Sequence, residues 1–360
     1  MFPRPGRWRE IPSVEKYFLG PNRDLVVSRF AFRPSPDTSY RRLGPHLFTT
    51  GESAVLIRHA TERELALLER GSFRRIAYLL DDDLDAIAGD PAINADYRRR
   101  VAAFRDGPLQ RILRRATDFI APSIPLLSAH SGPALHFLGP ALTHTPPGIT
   151  HFATEETFRI VFLGTRSHLE DFALLAPELE RFLRAHPEAQ LDTFLGRWAP
   201  AELRELPNAI HHAPLHWPAF RRLLQRRRWH LALAPMRPTA VNRARSWNKL
   251  LDHAAAGTAT LATEGACPAL DVALGSGRYG LPLPASPARW REALEWLLHD
   301  REQAARLAAA GAERASHIAD PQSVRTFWSH LLAPPRQKCD THEHRTLLPP
   351  ARHRPCTAFM

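Results

Sequence analysis

Apolar runs and polar breaks alternate along the second half of the chain with a strand–helix rhythm. Arg159 to Leu163 is a short apolar run that ends at Gly164 and reads as a buried strand. Leu169, Phe172, Ala176, Leu179 and Leu183 then recur at spacings of three and four, which is the stripe of an amphipathic helix. Leu191 to Leu195, Ala209 to His212, Leu231 to Ala234 and Ala259 to Thr263 read as further strands. Helices are expected over Trp217 to Arg227, Arg245 to Ala256, Pro287 to Leu298 and Arg301 to Ala319. Gly257 is a good stop for the second of these.

The first half carries the same rhythm less plainly. Candidate strands are Leu25 to Phe30, Ala54 to Ile57, Ile76 to Leu80, Asp118 to Ala121 and Ala134 to Leu138. Helical spacing covers Thr61 to Arg70, Ile93 to Phe104 and Pro108 to Ala116. The stretch 139–156 is rich in Pro, Thr and His without periodicity and reads as a linker. Strands alternating with helices predict an α/β fold of parallel sheets covered on both faces. A chain of 360 residues is too long for one compact core, so two domains are expected, 1–150 with the linker and 151–333. The polar, basic, proline-rich residues 334–360 read as a disordered tail.

Composition narrows the setting. No apolar run is long enough to cross a bilayer, and MFPRPGRWREIP lacks the apolar stretch of a signal peptide. The expectation is a cytoplasmic chain. Its three cysteines, Cys267, Cys339 and Cys356, are too few and too odd for a disulfide framework. The net charge is +11 and almost entirely arginine, which favours phosphate-bearing partners or the anionic inner face of a membrane.

The segment 242–263, NRARSWNKLLDHAAAGTATLAT, carries the candidate chemistry. Arg245, Lys249 and Asp252 fall at i, i+4 and i+7, on one face of the expected helix. Two cations beside free helix N-terminal amides suit a diphosphate, and a carboxylate one turn on suits paired ribose hydroxyls. A solvated helix face with a Lys–Asp pair is the other reading of the same spacing.

This segment resembles the donor-site motif of family 4 glycosyltransferases of the GT-B type, in particular a bacterial subgroup. There a helix bearing a lysine and then an acidic residue runs into an Ala-rich turn ending in Gly, followed by a small apolar strand. Lys249, Asp252, Ala254, Ala256, Gly257 and the strand to Thr263 follow that order. Asn242, Arg245 and Ser246 match upstream positions of the subgroup. The resemblance implies two Rossmann-like, doubly wound domains facing across a cleft. It also implies a nucleoside-diphosphate sugar as donor, with Arg245 and Lys249 on the diphosphate and Asp252 on the ribose. Gly164 and Arg166, in Val161 to Arg166, resemble the strand and loop that open the donor domain. His168 and Asp171 resemble a His and Asp of the subgroup. The last helix of this fold often crosses back onto the first domain. One departure stands out: many members have two glutamates eight positions apart, and Ala244 occupies the first position here.

In the first half, Ile76 to Leu80 feeds Asp81, Asp82 and Asp83, which resembles the subgroup's strand and acidic run. Arg58 and the stretch Asp118 to Ser123 also find counterparts there. Three adjacent carboxylates at a strand end can orient an acceptor hydroxyl, act as a base, cap a helix, or hold a metal. The fold family generally needs no metal, so none is expected, and no cofactor beyond the donor as substrate.

Other signals are weaker. His211, His212 and His216 surround a strand end. Cys339, His342, His344, His353 and Cys356 are zinc-type ligands without finger spacing. Arg221 to Arg228 with Trp229 is a basic run on a helix end expected to face solvent, and it suits anionic headgroups as well as nucleic acid; no specific nucleic acid is expected. The functional expectation is sugar transfer to an unidentified acceptor hydroxyl, in bacterial glycan synthesis. The rivals are a non-catalytic GT-B homologue, a nucleic-acid-binding protein and a sugar-nucleotide epimerase.

Overall fold

The computed structural model describes residues 10–27 and 39–333. The expected strand residues 28–30, the tail 334–360 and its Cys and His ligands lie outside the described residues.

The chain builds two sheets. In the first, β1 (Val26–Val27), β2 (Tyr40–Arg42), β3 (Leu47–Thr50), β4 (Ser53–Ile57), β5 (Arg75–Leu79), β6 (Asp118–Ala121) and β7 (Ala134–Phe137) lie side by side in chain order. Strands β4 to β7 are parallel, and β3 is antiparallel to both its neighbours. The second sheet contains β8 (Phe158–Phe162), β9 (Ala189–Thr193), β10 (Ala209–His211), β11 (Leu231–Ala234), β12 (Ala259–Thr263) and β13 (Leu281–Leu283). All its pairings are parallel, in the order β10-β9-β8-β11-β12-β13. The winding direction reverses between β8 and β11, and such a switch point opens a crevice at the strands' carboxyl ends.

Side-chain alternation assigns the faces. In the first sheet Ala54, Leu56, Ile76, Tyr78, Phe119 and Ala121 pack under the helices that connect the strands. Val55, Ile57, Ala77, Leu79 and Ile120 point the other way. That second face is closed by two distant pieces of chain. One is the helical stretch Pro12–Val14 continuing through Glu15–Leu19; the other is the final helix Pro321–Leu332. The Trp328 indole donates to the Tyr17 carbonyl at 2.6 Å, and Arg325 donates to the Pro21 carbonyl at 3.0 Å. The chain's last described helix therefore belongs to the core of the first sheet.

Several elements differ from the expectation. The hairpin strands β2 and β3 are additional, since neither Tyr40–Arg42 nor Leu47–Thr50 carries a plain alternation. Strand β13 is additional as well; Pro282 sits in it, which an edge strand tolerates. The expected helix from Leu169 to Leu183 is two, Leu169–Ala173 and Ala176–Ala185, with Pro177 restarting the second. The expected helix from Arg245 to Ala256 begins at Asn248, after a short turn Ala240–Arg243 capped by Thr239. Trp247 is the N-cap of that helix, and its ring packs so tightly on Gly139 that a Cβ there would lie 2.1 Å from it. Among the described residues no helix is long and apolar enough to cross a membrane.

Candidate functional site

The crevice at the β8/β11 switch point is pinned by one carboxylate. Asp171, 3% exposed, accepts from the Arg237 amide at 3.0 Å, the Arg237 Nε at 3.2 Å and the Asn242 Nδ2 at 3.1 Å, all on Oδ1. Its Oδ2 lies 3.2 Å from His168 Nδ1. The loop after β8 and the loop after β11 are thus tied across the crevice. Burial pushes the Asp171 carboxyl up, but the histidine and Arg237 outweigh it and hold it below the usual range. Gly164 lets the first loop turn tightly, since a Cβ there would lie 2.1 Å from the Phe162 ring.

Lys249 stands in the first turn of the Asn248–Ala256 helix and donates from Nζ to the Leu163 carbonyl at 3.0 Å. Burial, and secondarily the cations Arg245 and Lys16, lower its ammonium to about 8 against the pull of Asp252. No side chain caps this helix N-terminus, which leaves first-turn amides for another acceptor. Arg245, in the connection before the helix, reaches across to the first domain, with Nη1 3.9 Å from Asp82 Oδ1. Its Nε is buried without a hydrogen-bond partner. Ser246 receives the Tyr17 hydroxyl at 3.3 Å.

Asp252, one turn on from Lys249, is engaged by the first domain. Its Oδ1 receives Lys16 Nζ at 2.7 Å, and the same ammonium donates to Asn248 Oδ1 at 3.1 Å. Lys16 is itself 4% exposed. The carboxylate expected at a ribose therefore has one oxygen engaged by the first domain, with Oδ2 as its accepting edge.

The first-domain wall is built around Arg58, whose backbone sits in the left-handed region at φ 65°. A non-glycine residue there is strained and must be held by its surroundings. The Tyr78 hydroxyl donates to its carbonyl at 2.8 Å. The guanidinium holds Asp81 at 3.0 Å, Ser13 Oγ at 3.2 Å, and Asp82 by a short contact. Ser13 Oγ also donates to Asp81 at 2.6 Å. Burial pushes Asp81 above the usual carboxylate range despite Arg58. Asp82 is also buried, but Arg58, Arg245 and His168 hold it below. Asp83 takes no part: its Oδ1 accepts the Ala86 amide at 2.9 Å and caps the Leu84–Gly89 helix.

The structure thus brings together Asp81, Asp82, Gly164, Arg245, Ser246 and Lys249 around one interdomain gap. Asp252 has one oxygen held by Lys16, and Asp83 turns to its own helix. Asn242 is buried and consumed by Asp171 and the Arg237 carbonyl at 3.0 Å, so it shapes the loop. Arg166 is exposed and lies over the Trp198 ring at 3.7 Å. Arg245 and Lys249 share the gap although they do not share a helix, because Arg245 precedes its start. At the position of the absent glutamate, the Ala244 carbonyl accepts Ser123 Oγ at 2.6 Å, joining the two domains. No group of three or more His, Cys, Asp or Glu that could hold a metal ion occurs among the described residues. The basic run Arg221 to Arg228 faces solvent only in part: Arg222 and Arg226 are exposed, while other members turn inward. Arg221 pairs with Glu15 at 3.1 Å, and Arg227 with the fully buried Asp192 at 2.9 Å. His212 and the Trp229 indole satisfy the same Asp192, while His211 bonds Thr193 and His216 is exposed. Sequence reasoning missed Ser13, Lys16 and Tyr17. The signal available was the dense apolar set Val14, Tyr17, Phe18 and Leu19 so near the start.

No family model matches the chain, and no curated protein matches it. Solved structures do. Sucrose-phosphate synthase from Thermosynechococcus elongatus is 13% identical with a TM-score of 0.53, over 74% of this chain and 69% of that one. Anabaena HepE in complex with UDP-glucose is 13% identical with a TM-score of 0.54, over 77% and 78%. Trehalose-6-phosphate synthase OtsA is 10% identical with a TM-score of 0.51, over 78% and 72%. At these identities the likeness is one of architecture: two Rossmann-like domains in the GT-B arrangement.

Proposed function

We propose that the chain is a glycosyltransferase that moves a sugar from a nucleoside-diphosphate donor to an acceptor hydroxyl. The observation that carries this reading is the charge at the switch-point crevice. Lys249 rests on a carbonyl and Arg245 lies 3.9 Å from the nearest carboxylate in contact, beside a helix N-terminus with no side-chain cap. Such a place is short of negative charge, and a diphosphate supplies it.

The roles follow from chemistry. Arg245, Lys249 and the helix amides stabilise charge on the departing diphosphate, so no metal is invoked. Asp252 Oδ2 accepts a ribose hydroxyl. Asp82, kept ionised by Arg58, faces Arg245 across the gap and accepts from a hydroxyl of the acceptor. Asp81 and Ser13 hold Arg58 in place. Gly164 and Asn242 shape the crevice without reaching the donor. Synthesis of a bacterial glycan, and a peripheral place at an anionic membrane face, belong to the same reading.

A melting-temperature screen of nucleotide sugars tests it, since a bound donor raises the midpoint. The double variant Arg245→Ala, Lys249→Ala abolishes that shift and the calorimetric binding of the donor. Unchanged affinity in the double variant would count against the reading. Tight binding with no turnover on any acceptor points instead to a non-catalytic homologue.

A further inference from the structure

His168 has two nitrogens in unlike surroundings. Nδ1 lies 3.2 Å from Asp171 Oδ2, and the other oxygen of that carboxylate already accepts three N–H groups. A carboxylate so surrounded is ionised and can only accept. The proton between them therefore belongs to Nδ1, and Nε2 carries a lone pair. Nε2 has no hydrogen-bond partner among the described residues and is not sealed off, and the ring itself lies within reach of the crevice groups Arg245, Lys249 and Asp82.

Charged groups bear on this ring from every element around it. Arg245 comes from the connection before the Asn248–Ala256 helix, Lys249 from the helix itself, Asp171 from the ring's own segment and Asp82 from the loop after β5. Burial first, and then Arg245 and Lys249, lower the imidazole to about 4 against the pull of Asp171. The ring is neutral because it is buried and two cations stand beside it. An anion bound between those cations reverses that field. It also sets phosphate oxygens, which only accept, against a bare lone pair, and one proton turns that mismatch into a hydrogen bond.

Resting on the donor reading above, we infer that His168 takes up a proton on Nε2 when the diphosphate of a nucleotide sugar binds, and donates it in a hydrogen bond to the phosphate. The proton comes from solvent. When the bond from the anomeric carbon to the phosphate oxygen breaks, its electron pair stays on that oxygen, and Nε2–H remains hydrogen-bonded to the charge that grows there. Asp171 is the positioning residue: it sets the tautomer and stabilises the imidazolium.

Calorimetric titration with UDP-glucose at about pH 6, in two buffers of different ionisation enthalpy, decides the matter. The ligand's own phosphates do not titrate there, and Lys249, at about 8, is already charged. The expected result is a buffer-dependent heat equal to the uptake of about half a proton or more, with affinity rising as pH falls. His168→Gln binds without that uptake and without that pH dependence. Should the variant fold poorly, ring-nitrogen NMR of the wild-type protein reads the same event as one imidazole passing from its neutral to its doubly protonated form on ligand addition. Binding with no proton uptake at pH 6, or uptake that persists in His168→Gln, overturns the inference and leaves the donor reading standing. If neither UDP-glucose nor any other nucleotide sugar binds, the donor reading itself fails.

Discussion

On the first-domain wall of the crevice, Arg58 is enclosed by Asp81, Asp82 and Ser13, each within contact. On the second-domain wall, Lys249 has a carbonyl and Arg245 has an orphaned Nε and a carboxylate at 3.9 Å. Both walls carry arginine or lysine at the crevice, yet one neutralises itself and the other does not. A self-neutralised cluster gains little from a bound ion and is suited to directing hydroxyls. An under-neutralised one is destabilising in the empty protein and is relieved by an anion. This contrast is what supports placing donor and acceptor on opposite walls in the proposed function.

Removing the centre of the first wall has the largest expected effect. Arg58→Ala leaves two buried carboxylates without their cation and costs about 3–5 kcal/mol in urea unfolding. A loss under about 1 kcal/mol would show that the wall does not depend on internal neutralisation.

Lys249→Met sharpens the opposite wall. The ammonium titrates at about 8 in the folded chain, below the about 10.4 of an unfolded lysine. The unfolded chain binds more protons between those values, so the native protein gains stability as pH rises through that window. Lys249→Met flattens that rise and increases the melting temperature at pH 7, while donor affinity falls roughly a hundredfold. A variant that is less stable at pH 7 would erase the contrast.

Asp252→Asn acts on the boundary between the walls. Nucleotide-sugar affinity is expected to fall about tenfold in calorimetry, and the melting temperature to drop because Lys16 loses its carboxylate. The smallest effect belongs to Asp83→Ala. It removes a helix cap at about 1 kcal/mol and leaves turnover intact, whereas Asp82→Asn lowers turnover at least about tenfold. Equal turnover losses in the two would show that the three aspartates act as one group.

Legibility followed locality. Strands β11 and β12 could be read residue by residue, because apolar runs and Gly or Pro stops are local signals. Strands β2 and β13 could not, since they are short edge or near-edge pieces stabilised by pairing. Lys249 and Arg245 were singled out by their spacing together with the family resemblance, although the helix that justified the spacing starts after Arg245. Asp171 was legible only as a match to relatives; three of its four contacts join segments 66 and 71 residues apart in sequence.

The sequence by itself determined the βα rhythm, the excess of arginine and the residues able to meet a diphosphate, because each depends on side-chain type and near neighbours. The tertiary structure alone decided which charges stay uncompensated. Lys16 reaches Asp252 across 236 residues, Arg58 reaches Asp81 across 23, and among the described residues no carboxylate pairs with Lys249. Electrostatic work depends on distance and burial in space, and neither is written in the order of the residues.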